Sequence, residues 1–405
     1  MLIVKIAFRN IFRQKRRTIL TLLTMIGGFT LAAISIGWSD GTYSRIIDMF
    51  TRNQLGHIQI HYDDYADKPT IYKTIKDYKR IGTLIKEING VFAWSPRIYA
   101  AGLGSVKEKS TGVRIIGIDP LLENKATNFD KKISRGKNLS QTADHTVLIG
   151  KGLAKILKAE VSDYIALVSQ GADGSIANDL YEIIGIIDSG DPLIDRMSCY
   201  MHIDDAQELF VLYNGVHEMV IVLDKVKQVK EYTAKIVDAV NNNKLSVEPW
   251  QVFAKEFYQA MKADQKGMWI TLCIIILIVA IGVLNTVLMA VLERRREYGL
   301  LKAVGTRPNQ ILSLVIYEVV IMAVISVIIA SMISVILNYV LSLYGIPLPE
   351  TFTYGGMQFN TMYSEINARS FYIPAVTVLL SAVCVGLFPA WGAARVDPAH
   401  AMRVH

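Results

Sequence analysis

The residue types that carry chemistry are thinly spread in this chain. His57 and His61 are the first pair to weigh as metal ligands. In an alternating strand they share a face but stand about 13 Å apart at ~3.3 Å per residue. One ion held ~2 Å from each nitrogen does not span that gap, so a surface strand is the expectation. Asp63, Asp64 and Asp67 could bind calcium. They lack the glycine and glutamate spacing of an EF-hand, so a solvated acidic loop is expected. Cys199 has no partner in the middle segment, while Cys273 and Cys384 lie in apolar runs. No disulfide framework or zinc-finger spacing follows. The sequence contains no GxxxxGK[ST] phosphate loop, no GxSxG elbow and no HExxH helix, so nucleotide hydrolysis by the phosphate-loop route is excluded. Glu318 is different: it interrupts a long apolar run. Such a charge faces a protein interior or polar cavity, or snorkels to the interface.

The elements that hold these residues are dominated by that apolar character. Of 405 residues, 52% are hydrophobic and 20% charged, and the charge is unevenly placed. Residues 18–38 and 268–292 carry no charge, residues 311–343 carry only Glu318, and residues 371–394 carry none. About 20 apolar residues cross a ~30 Å hydrocarbon core as a helix. Four transmembrane helices are therefore expected. This excludes a simple soluble enzyme, a disordered chain and an outer-membrane barrel, whose strands alternate weakly instead. The first run is too long for a signal-peptide core and has no clean small-residue cleavage site.

Charge sets the expected orientation. Residues 1–17, 293–310 and 395–405 together hold thirteen basic and three acidic residues. The positive-inside rule places all three segments in the cytoplasm. The basic excess sits beside membrane spans, which argues against nucleic acid as a partner and for membrane lipids. The 39–267 segment and a 344–370 hairpin then face outward. Residues 1–17 read as an interfacial helix. Lys5, Arg9, Arg13 and Arg16 share one face, with Ile3, Val4, Ala7, Phe8 and Ile11 opposite.

The apolar pattern overruns the first two spans. Tyr43, Ile46, Ile47 and Phe50 keep helical spacing after the first, and Phe253, Phe257 and Met261 recur every four residues before the second. Both helices are expected to continue as amphipathic stalks. Ser326, Ala330 and Ser334 also recur every four residues, a spacing that permits close helix packing within the bundle or against another subunit. Between the stalks, two strand–helix–strand patterns (55–101 and 218–249) predict a split, ferredoxin-like α+β domain. A strand-rich insert over 102–203 interrupts them. Asp204 is placed to cap a short helix after that insert.

The loop ERRREYGLLKAVGTRPNQI (Glu293–Ile311) closely resembles the coupling segment of FtsX-like permeases of ABC transporters, the MacB and LolC–LolE group. AFRNIFRQKRRTILT (Ala7–Thr21) and FPAWGAARVDPAHAMR (Phe388–Arg403) resemble the ends of the same family, and VRIIGIDP (Val113–Pro120) a stretch of its outer domain. IIDSGDPLIDRMSCYMHIDDAQELF (Ile186–Phe210) is most similar to the lipoprotein-releasing LolC–LolE branch. The resemblance implies a non-catalytic permease subunit of a type VII, mechanotransmission ABC transporter in the inner membrane. It implies that ATP and Mg are bound by separate cytoplasmic ATPase subunits, expected as two, with no cofactor in this chain. A dimer with a second copy or a paralogue follows from the four spans. The coupling role would fall on Glu293, Arg294, Arg295, Arg296, Glu297, Lys302 and Arg307, with Glu297 at the acidic position of the motif. The cargo implied is a lipoprotein passed to a periplasmic carrier. The stalk residues Tyr43, Ile46, Ile47, Phe50, Phe253, Phe257 and Met261 suit its acyl chains. The alternatives are MacB-like efflux through an outer-membrane channel and FtsX-like activation of a periplasmic hydrolase.

Overall fold

The computed structural model describes residues 2–13, 15–354 and 357–397. The end of the C-terminal motif, residues 398–403, lies outside the described residues. The chain forms two compact units.

The first unit, residues 1–44, 261–349 and 361–405, is a helical bundle. Four helices are long and apolar enough to cross a membrane: Lys15–Phe50 (span 1), Lys255–Glu293 (span 2), Pro308–Tyr344 (span 3) and Arg369–Ala394 (span 4). At 1.5 Å per residue the first three run beyond a ~30 Å core, which is what the extended apolar pattern requires. The end of span 1 and the start of span 2 belong to the second unit. Small side chains set the close approaches. A Cβ on Gly28 of span 1 would stand 1.9 Å from Val279 of span 2, and one on Gly282 would stand 2.5 Å from Thr24. Ser326, Ala330 and Ser334 of span 3 are fully buried within this one chain, and Ser326 Oγ lies 3.7 Å from Met25 Sδ on span 1.

The N-terminal helix (Leu2–Arg13) divides its apolar face. Ala7 and Ile11 are buried in the bundle, with Ile3 packed beside them, whereas Val4 and Phe8 stay exposed. The narrow i, i+4, i+8 stripe thus packs on protein, which corrects the picture of a helix lying only on lipid.

The second unit is an α/β domain. Its principal strands are β1 (Ile58–Tyr62), β2 (Val91–Val106), β3 (Lys109–Ile118), β4 (Thr146–Gly150), β5 (Tyr164–Gln170), β6 (Ile176–Ile187), β7 (Ser198–His202), β8 (Glu218–Leu223) and β9 (Leu245–Pro249), with a short edge strand, Ile133–Gly136, beside β6. The order β9-β1-β8-β2, antiparallel throughout, with helices Tyr78–Lys86 and Val229–Val240 as crossovers, is the split ferredoxin-like arrangement. The insert is not a separate body. β2 runs past residue 102 without a break, and its far half pairs with both β3 and β5. The ladder continues β3-β7-β4-β6-β5 and returns to β2, closing a six-stranded barrel. Closure removes the exposed edges that an open insert would present.

The VRIIGIDP stretch has a structural explanation. Asp119 Oδ1 accepts from the amides of Leu121 and Leu122, capping helix Pro120–Thr127, and Pro120 occupies its first turn. A Cβ on Gly117 would meet the Ala206 methyl at 2.4 Å. The next cap differs from expectation: helix Ile203–Leu209 is capped by His202, whose Nδ1 accepts from Asp204 N, so Asp204 lies inside the helix.

Candidate coupling and transmission site

The loop between spans 2 and 3 folds as a short helix, Arg295–Ala303, held against the bundle by one side. Tyr298 and Gly299 are buried. Burial, then the nearby Glu318, pushes the Tyr298 phenol well above its ordinary pKa. The seven residues assigned here by sequence do not act alike. Arg295, Arg296, Glu297 and Arg307 are exposed. Glu297 pairs with Arg13 at 3.1 Å, and Glu293 pairs with Arg17 at 2.5 Å. Lys302 turns inward, donating to the carbonyls of Ala394 (3.2 Å) and Val396 (2.8 Å). It thereby satisfies acceptors that the end of span 4 leaves open. Arg294 is buried and donates to Glu318 at 3.0 Å. Arg294 and Lys302 therefore hold the loop to the bundle. Sequence reading passed over the outer apolar face: Leu300 is 58% exposed and Val304 82%. Arg295, Arg296 and Arg307 of the same loop are exposed as well.

In the α/β unit the chain enters at β1 and leaves at β9, which are antiparallel neighbours. Phe50 and Phe257 stack with centroids 3.9 Å apart, and Trp250 stands edge-on to Phe257 at 6.1 Å. Ile46 is buried, and Ile47 and Phe253 are half-buried. Phe253 is not on the helix that carries Phe257. It closes a short helix, Trp250–Phe253, and span 2 begins only at Lys255. The every-four-residue run is thus broken at Ala254. In the bundle unit, Tyr43 is half-buried and Met261 buried. An acyl chain between Phe50 and Phe257 would first have to part their rings.

The histidine pair is not on a surface strand. His57 and His61 are both buried. His57 Nδ1 accepts from Leu223 N at 2.8 Å, and burial, helped by Arg52, pushes its pKa down to about 4. His61 Nε2 lies 3.3 Å from Glu218. Glu218 belongs to a buried network that sequence gave no sign of. Arg97 makes a two-point pair with Glu123 (2.6 and 3.1 Å) and reaches Glu218 at 3.4 Å, while Tyr99 donates to Glu218 at 3.0 Å. Burial opposes ionisation of both carboxylates, but their partners outweigh it and hold them below the ordinary carboxylate range. Burial alone pushes the Cys199 thiol up to about 12, so it is an inert core group. A cleft of about 760 Å³ opens beside the network, with Arg114 lying over the Tyr99 ring at 4.5 Å.

A family model for the MacB-like periplasmic core domain matches residues 18–239, more than half of the chain. The chain belongs to the MacB-like family of permeases. A model for the FtsX-like permease C-terminal domain matches residues 269–398 of this permease. A LolC lipoprotein-releasing transmembrane protein of Neisseria meningitidis is 21% identical, covering 77% of this chain and 76% of that protein. One from Xylella fastidiosa is 24% identical over 71% and 72%. A PvdT pyoverdine export ATP-binding/permease protein of Pseudomonas savastanoi is 24% identical, covering 98% of this chain and 59% of its own length. Among solved structures, the periplasmic region of MacB from Actinobacillus actinomycetemcomitans aligns with a TM-score of 0.38 at 10% identity, over 52% of this chain and 96% of that one. The permease is thus a multi-pass ABC transporter subunit of the MacB and LolC type. Permeases of this family work with cytoplasmic ATPase subunits.

Proposed function

We propose that this permease extracts lipoproteins from the outer leaflet of the inner membrane and passes them to a periplasmic carrier. Both termini and the 293–310 loop lie in the cytoplasm, where the basic excess belongs. Separate ATPase subunits bind ATP and Mg and dock on the exposed face around Arg295, Arg296, Leu300 and Val304. A second permease, copy or paralogue, completes the transporter. The stalk residues then line the route of the acyl chains. The observation that carries the cargo is the likeness to LolC proteins over 77% of the chain.

The second reading is efflux of a small molecule, favoured by the PvdT-type relatives that match 98% of the chain. Proteoliposomes holding the permease and its co-purified ATPase separate the two. Lipoprotein extraction requires ATP-dependent transfer of a fluorescent triacylated lipoprotein from the bilayer into a soluble fraction containing carrier. Retention of the lipoprotein, with ATP-driven movement of a small molecule instead, sinks the lipoprotein reading.

A further inference from the structure

Three elements of the bundle meet at a single buried carboxylate. Glu318 lies in the apolar span 3, is 8% exposed, and accepts three hydrogen bonds. Arg294 Nη1 donates to both of its oxygens, at 3.0 and 3.3 Å, and Asn10 Nδ2 donates to Oε1 at 2.7 Å. Arg294 Nη2 donates in turn to the Asn10 carbonyl at 3.2 Å, which closes the ring of contacts. Arg294 is the residue immediately before the loop helix, and Asn10 belongs to the N-terminal helix. The other ion pairs here, Arg13–Glu297 and Arg17–Glu293, keep at least one half-exposed partner. Such pairs are screened and hold geometry poorly.

A buried ion pair adds little net stability, because desolvation offsets the attraction, but it strongly disfavours any arrangement that separates its members. Arginine suits this place because its planar fork reaches the carboxylate and the Asn10 carbonyl together, which a lysine ammonium does less well. The consequence is mechanical. A force on the exposed face of the loop helix cannot slide that helix along span 3 without stranding Glu318 in an apolar bundle.

We propose that Glu318 is a positioning residue that grips Arg294, so that the loop helix, the N-terminal helix and span 3 move as one body when the ATPase changes state. The inference rests on the family assignment and does not depend on the cargo.

The test uses the intact permease–ATPase complex in nanodiscs. Spin labels go at Ala303→Cys, on the exposed side of the loop helix, and Tyr317→Cys, on the exposed side of span 3. The exposed Cys273 and Cys384 are replaced by serine, and the buried Cys199 is kept. With Glu318 intact, the 303–317 distance distribution should stay narrow and unmoved between nucleotide-free and vanadate-trapped states. In Glu318→Gln it should broaden and shift with nucleotide by up to about one helical turn, ~5 Å. The permease-dependent part of ATP hydrolysis should fall about tenfold, within the usual range of coupling between sites. The exchanged pair Arg294→Glu/Glu318→Arg should restore much of both signals. Labels that move apart in the complex with Glu318 intact overturn the proposal, and that arm needs no altered Glu318. So does a folded Glu318→Gln complex with unchanged distances and hydrolysis.

Discussion

Ile58 and Pro249 face each other across β1 and β9, so the helices that enter and leave the α/β domain are anchored on adjacent, antiparallel strands. Eight residues before Ile58 and eight after Pro249, Phe50 and Phe257 stack ring on ring. The joint on the entering side is Gly56, at φ 73°, where a Cβ would stand 2.4 Å from Val220 Cγ1. Gly56→Ala should destabilise the domain by about 1–3 kcal/mol, because a positive φ with ψ 174° is a backbone conformation essentially confined to glycine, with more from the contact. Faster amide hydrogen exchange across β1 and β8 checks this. Wild-type exchange would show that the joint tolerates a side chain.

Arg97→Met removes one cation from between two buried carboxylates. The expected cost is about 3–5 kcal/mol, as for other buried pairs broken from one side. Adding Glu123→Gln should return part of that loss, because one stranded charge is then gone. Thermal melts of the single and double variants measure the difference.

His57 makes the domain acid-sensitive with a defined sign. Its folded pKa is about 4 against an ordinary 6.5. Between those values the unfolded chain binds a proton that the folded chain refuses, so stability falls as pH falls through that window. The full effect is about 3 kcal/mol and is complete below pH ~4. His57→Asn keeps an acceptor for Leu223 N and cannot titrate. Hydrogen exchange at Leu223, corrected for intrinsic rate, should lose this pH dependence in the variant while keeping any part due to Glu123 and Glu218 below pH ~4.

Glu297 lies on the exposed side of the loop helix and pairs with the exposed Arg13. Glu297→Lys should leave the fold unchanged within about 0.5 kcal/mol, because surface pairs contribute little. It should still dissociate or uncouple the ATPase. The permease purified without that subunit should hydrolyse no ATP. Co-purification and hydrolysis assays on the variant check both statements, and full assembly with normal transport would remove Glu297 from the docking surface.

What the sequence made legible follows from periodicity. Four long apolar runs, broken only by Glu318, gave the spans, and the alternation of β1 with the extended stretches of β2, β8 and β9 around two helical patterns gave the ferredoxin-like half. Periodicity says nothing of partners far along the chain. Arg97, Glu123 and Glu218 lie far apart along the chain and become one network only when β2, β8 and the Pro120–Thr127 helix bring them together. Arg294, Arg295 and Arg296 are chemically alike, and only the position of Glu318 turns the first inward. The barrel was missed because its closing contact, β5 against the far half of β2, joins strands about sixty residues apart. Phe253 kept the spacing of a helix that a single non-helical residue, Ala254, interrupts.

The central claim is that the paired stalks carry a lipidated cargo under ATP control, and a photoreactive residue at Phe257 tests it most directly. In the intact complex, irradiation should yield an adduct with lipoprotein that disappears when ATP is added. Adducts only with Phe50 of the same chain or with the second permease, unchanged by ATP or by lipoprotein, would contradict the account and leave the stalks as a packing seam.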